Sequence, residues 1–87
     1  MSYEIHLKTI VERQLDSIKG RTYDSIAKVI SALHNSPRPA HTKKLTDTGL
    51  WRIRVGNYRI IYAIDDQAKS ITIVRVAKRN KDTYKGL

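Results

Sequence analysis

The chain has 87 residues, which is room for one small domain spanning 1–87. Lys and Arg number 17 against 8 Asp and Glu, a net charge of +9, and 40% of the residues are hydrophobic. Zero cysteines exclude disulfides, Cys-zinc sites and thiol catalysis. No apolar run approaches the ~18 residues of a membrane span. The first 20 residues, MSYEIHLKTIVERQLDSIKG, mix charges throughout and lack the apolar centre of a signal peptide. The expectation is a cytoplasmic protein, away from membranes, that folds by packing alone. A domain this small buries only about 60–65% of its unfolded surface.

Residues 3–7, YEIHL, alternate, with Tyr3, Ile5 and Leu7 opposed to Glu4 and His6, and predict a half-buried strand. Ile10, Val11, Leu15 and Ile18 then form one stripe of a helix over 9–19, with Gly20 as its stop. Ile26, Val29, Ile30 and Leu33 give a second amphipathic helix from Thr22 to about Asn35. Gly20-Arg21 alone separates the two, which predicts an antiparallel helical hairpin. Pro37-Arg38-Pro39 ends the helical region, and 36–49 reads as a loop with a short turn at Lys43-Lys44-Leu45.

Three strands follow. In LWRIRV, residues 50–55, Trp51, Ile53 and Val55 oppose Arg52 and Arg54. Gly56-Asn57 is a two-residue hairpin turn. In YRIIYAI, residues 58–64, Tyr58, Ile60, Tyr62 and Ile64 oppose Arg59, Ile61 and Ala63. Residues 65–69 make the next turn, and SITIVRVA, 70–77, is apolar on both faces as a central strand would be. The tail KRNKDTYKGL has room for a short helix. The order β-α-α-β-β-β predicts an α+β fold. Its core is a mainly antiparallel four-stranded sheet with the helical hairpin on one face and the other face partly open.

The charge is uneven. Residues 1–41 carry six basic and four acidic side chains, and 42–87 carry eleven basic and four acidic, so the second half builds a positive surface. Such a surface attracts polyanions, nucleic acid first and an acidic protein second. A two-residue turn fixes register. It therefore predicts Arg52, Arg54 and Arg59 on the face away from the helices. Lys78 and Arg79 follow the third strand and extend the patch, and Tyr84 offers a ring on which a base can stack. Arginines on a strand also deter edge aggregation. It is their convergence on one face that points to an anion. His6, His34 and His41 are scattered without metal-ligand spacing, Asp65 and Asp66 read as turn residues, and Trp51, Tyr58 and Tyr62 read as core.

Residues 43–65, KKLTDTGLWRIRVGNYRIIYAID, and 71–84, ITIVRVAKRNKDTY, resemble the RelE-type toxins of the RelE/ParE toxin–antitoxin superfamily. The shared pattern is a leucine-containing lead-in, a strand with alternating basic residues and Gly-x-Tyr-Arg. An apolar strand, an Asp-rich turn and an apolar strand ending in a basic cluster follow. The resemblance covers nearly the whole chain. It implies a fold like that of small microbial ribonucleases. It also implies a ribosome-dependent endoribonuclease that cuts mRNA in the A site by attack of the ribose 2′-hydroxyl. Mapped by motif, the catalytic set would be Arg52, Arg54, Arg59, Arg79 and Tyr84, with Lys43, Lys44, Lys78 and Lys81 contacting RNA. No cofactor or metal is implied.

Guanidinium groups bind phosphate oxygens bidentately and keep their charge, which suits a phosphorane-like transition state. Arginine is a poor general base, whereas a tyrosine among cations is a better one, which favours Tyr84. The best-known family member carries lysines at the positions of Arg52 and Arg54, and many carry a histidine at that of Lys78. The general acid therefore stays unassigned. The resemblance further implies a cognate antitoxin that covers the positive surface with an acidic or amphipathic segment, in a toxin–antitoxin hetero-oligomer. The competing functions are a ParE-like toxin acting on DNA gyrase and an RNA-binding module without chemistry.

Overall fold

The computed structural model describes residues 2–78. In chain order these form β1 (Glu4–Leu7), α1 (Thr9–Asp16), α2 (Gly20–Leu33), β2 (Lys43–Lys44), β3 (Trp51–Val55), β4 (Tyr58–Asp65) and β5 (Ser70–Lys78). The strands make one sheet in the order β1-β5-β4-β3-β2. β1 runs parallel to β5, and the other three pairings are antiparallel. The fold is α+β as the periodicities predict, with one strand more than expected. That strand is β2, where Lys43 and Lys44 pair with Arg52 and Trp51 at the sheet edge. Two residues are too few to show an alternation. Among the described residues no helix is long and apolar enough to cross a membrane.

The helices lie over one face of the sheet. Val11, Ile18, Ile26, Ile30 and Leu33 share a single core with Tyr3, Ile53, Ile60, Tyr62, Ile71, Ile73 and Val76. Burying each such aliphatic side chain contributes about 1.5–3 kcal/mol. α2 presents Ile26, Ile30 and Leu33 as its period requires. α1 is shorter than its apolar stripe predicts. It ends at Asp16, and the Ser17 and Ile18 amides close the last turn on the Gln14 and Leu15 carbonyls. Ile18 is buried from the linker, whereas Ile10, expected in the stripe, is 49% exposed. Gly20 does not stop α1. It opens α2, and its φ of +69° makes the left-handed bend between the helices.

Tyr62 has a second role besides filling the core. Its hydroxyl donates to the Pro37 carbonyl (2.8 Å) and accepts from the Thr42 hydroxyl (3.1 Å). Burial pushes the phenol pKa up, so the group stays a neutral donor. The loop between α2 and β2 is thereby tied to the central strand. Tyr62→Phe keeps the ring and removes both bonds. At about 0.5–1.5 kcal/mol each, the variant is expected to lose about 1–3 kcal/mol in urea unfolding with an unchanged m value.

Candidate nucleic-acid interface

The turn between β3 and β4 sets the geometry. Gly56 has φ +58°, the conformation a tight hairpin needs at its first central residue. Val55 then pairs with Tyr58, Arg54 with Arg59, Ile53 with Ile60 and Arg52 with Ile61. Ile53 and Ile60 point to the helices, so Arg52, Arg54 and Arg59 share the other face. Arg54 and Arg59 are direct cross-strand neighbours. Such side chains start about 5 Å apart, and like charges there repel. An anion seated between them would offset that repulsion. Lys43, in register with Arg52, extends the row to the sheet edge.

β5 adds an arginine that the alternation does not predict. Tyr62 pairs with Ile73 but Ile61 pairs with Arg75, so Val74 is an extra residue. This β-bulge sets two residues of β5 against one of β4. It moves Arg75 onto the arginine face, beside Ile61 and across from Arg52. The sequence held one signal. With strict alternation Arg75 would fall on the parity of Ile71 and Ile73, inside the core.

This face is less open than expected. Arg54 is exposed, but Arg52 and Arg59 are 8% and 7% exposed. Ile61, flanked by Arg52 and Arg75, is fully buried yet stands outside the helix-side core. Arginine suits such a surface because its alkyl stem covers apolar neighbours while the head group stays polar. Asp65 is the acidic residue of β4 with the same parity. It lies six residues from Arg59, roughly 20 Å along the strand.

Not every predicted contact joins this set. Lys44 is in register with Trp51, and its ammonium lies 5.7 Å from the Trp51 ring centre, on the helix side. Lys78 is in register with Tyr58, again the parity of the helix-covered face. These two lysines therefore depart from the patch the sequence predicts, because alternation separates them from Lys43 and Ala77. Arg79, Lys81, Tyr84 and the expected terminal helix lie outside the described residues. His41, set aside in the sequence as scattered, lines a depression of about 440 Å³ with Arg52 and Arg54. No spacing in the sequence reveals that approach, since it depends on the path of the loop. Among the described residues no cluster of three or more His, Cys, Asp or Glu side chains is placed to hold a metal.

The loop is held a second time beyond Tyr62. Arg38 binds Asp66 through both terminal guanidinium nitrogens (3.2 and 2.8 Å) and stacks on Trp51, 4.9 Å from the ring centre. The Tyr3 hydroxyl donates to the same carboxylate at 2.6 Å. The sequence predicts only a turn role for Asp66, and it is Asp65 that fills it by accepting from the Ala68 amide.

The chain belongs to the family of ParE toxins of type II toxin–antitoxin systems (parDE), whose model matches residues 5–83. It is a toxin of the RelE/ParE superfamily. A chain of the archaeal RelE–RelB complex from Pyrococcus horikoshii OT3 is similar at 29% identity, over 93% of this chain and 99% of that one, with a TM-score of 0.83. The RelBE2 toxin–antitoxin complex from Mycobacterium tuberculosis gives 27% identity, 91% and 100% coverage and a TM-score of 0.79. The isolated Escherichia coli RelE toxin, at 16% identity, 92% and 87% coverage and a TM-score of 0.79, shares the fold. No curated protein sequence matches the chain.

The Arg38 hydrogen bonds, with help from Tyr3, lower the Asp66 pKa to about 2. A carboxylate with a depressed folded-state pKa stabilises the fold above its unfolded value, near 3.9, and loses that contribution as pH falls. Wild-type stability is therefore expected to drop between about pH 4 and pH 2. Asp66→Asn should remove that part of the acid limb, as read from denaturant midpoints across the range.

Proposed function

We propose that this toxin is a ribosome-dependent mRNA endoribonuclease that inhibits translation. The observation that carries the reading is the sharing of one sheet face by Arg52, Arg54 and Arg59, with Arg54 directly opposite Arg59. RNA brings its own nucleophile. The 2′-oxygen attacks phosphorus, the bond to the 5′-oxygen breaks, and a 2′,3′-cyclic phosphate and a 5′-hydroxyl result. The enzyme has to hold the phosphate in line and stabilise the added negative charge. Fixed guanidinium donors supply both. Resemblance adds Arg79 to the phosphate contacts and Tyr84 as the group that takes the 2′-proton.

An antitoxin partner belongs to this reading. The similar chains from Pyrococcus horikoshii and Mycobacterium tuberculosis were solved in complexes with antitoxins. A chain of net charge +9 favours an antitoxin segment that is acidic or amphipathic. The toxin and antitoxin would form a cytoplasmic hetero-oligomer that covers the arginine face. The family model favours a second reading, a ParE-like toxin acting on DNA gyrase without cutting RNA.

Arg59→Ala separates the two. On the ribonuclease reading the variant folds but cleaves translated mRNA at least about 100-fold more slowly, the loss typical of one transition-state donor. Primer extension on messages recovered after induction measures this. Wild-type toxin that leaves messages intact and blocks gyrase supercoiling would establish the second reading instead.

A further inference from the structure

β5 runs on beyond its parallel partner β1, whose pairing with it ends at Leu7 and Ile73. Past Ile73 that edge of β5 has no neighbouring strand among the described residues, while Val76 on its other edge stays in register with Ile60 of β4. The Val76 N–H donates instead to the side-chain carbonyl of Gln14, at 2.8 Å. Gln14 lies in α1 and is partly buried. Val76 is 2% exposed, so water does not readily replace that acceptor.

The bulge decides where Arg75 and Val76 go. Before it, Ile71 and Ile73 face the core. After it, Val76 faces the core in register with Ile60. Without the bulge, strict alternation of the same residues would turn Arg75 inward and Val76 outward. Burying that charge among isoleucines costs several kcal/mol. The bulge thus resolves a conflict in the sequence, and in doing so it sets Arg75 in the same cross-strand row as Arg52.

We propose that Arg75 is a fourth phosphate-binding arginine of this face, and that Gln14 is the positioning residue that keeps it there. This rests on the ribonuclease reading above. The substrate phosphate would be approached from β3 by Arg52 and Arg54, from β4 by Arg59 and from β5 by Arg75. A span of three strands, about 10 Å, matches one phosphate and its neighbour along an RNA strand better than it matches a single ion. Gln14 touches no substrate. It acts only through the backbone of β5.

The test uses the full chain and cleavage of mRNA on translating ribosomes, with Arg59→Ala as the reference. Arg75→Ala is expected to slow cleavage at least about tenfold, a change that one charge-assisted contact supports. Gln14→Met keeps the side-chain length and removes the acceptor, and it should lose a similar factor. Combined with Arg75→Ala it should lose no more than either alone. Gln14→Glu retains an acceptor and should restore cleavage. By hydrogen exchange, Gln14→Met should expose the Val76 amide while the Ile60 and Tyr62 amides stay protected.

Wild-type cleavage by Arg75→Ala, with Arg59→Ala impaired, overturns this inference and leaves the ribonuclease reading standing. Full cleavage by Gln14→Met, or collapse of the whole sheet in that variant, overturns the positioning role. Absence of cleavage by the wild type removes the ribonuclease reading and this inference with it.

Discussion

Everything on the arginine face depends on the pairing of β3 with β4 across Gly56-Asn57. The turn permits one register, and that register puts Arg54 opposite Arg59 and Arg52 opposite Ile61. A slip of one residue would send the arginines among the core isoleucines and the isoleucines to the arginine face. The hydrophobic core enforces the register from the helix side. Ile53, Ile60 and Tyr62 are nearly or fully buried under α1 and α2. Packing on one face therefore fixes charge placement on the other.

The sheet is finished at both ends by devices that do not belong to that hairpin. On the β5 side the bulge changes parity, and a side chain from α1 supplies the missing acceptor. On the β2 side the loop over 37–42 is held by the Tyr62 hydroxyl and by the Arg38 contacts with Asp66 and Trp51. That restraint brings His41 beside Arg52 and Arg54. Small toxins have little core to spare. Here polar side chains with long-range partners fix the parts that the core does not reach.

The fold class and the hairpin were legible because their signals are periodic. Alternation in 51–55 and 58–64 with a Gly-Asn turn leaves one register, and the 26, 30, 33 stripe leaves one helix face. What was not legible depends on single contacts between distant residues. β2 is two residues long, so Lys43 and Lys44 gave no sign that one shares a face with Arg52 and the other meets Trp51. The end of α1 was misplaced because Ile18 continues the apolar spacing after the helix has stopped. The bulge left a trace in the parity of Arg75, but the Gln14 acceptor of the Val76 amide lies 62 residues away in the chain. The near-burial of Arg52 and Arg59 depends on how the whole face is covered, which residue spacing does not encode.

The central claim is that these arginines meet RNA as one surface. The direct measurement is an NMR titration of the toxin with a short single-stranded oligoribonucleotide carrying a 2′-deoxy block at the scissile position, read on arginine side-chain Nε–H signals. The account predicts that Arg52, Arg54 and Arg59 shift together at one saturation point while the Trp51 indole N–H, on the helix side, does not move. Shifts confined to the Trp51 edge, or arginine signals that respond independently of one another, would contradict it.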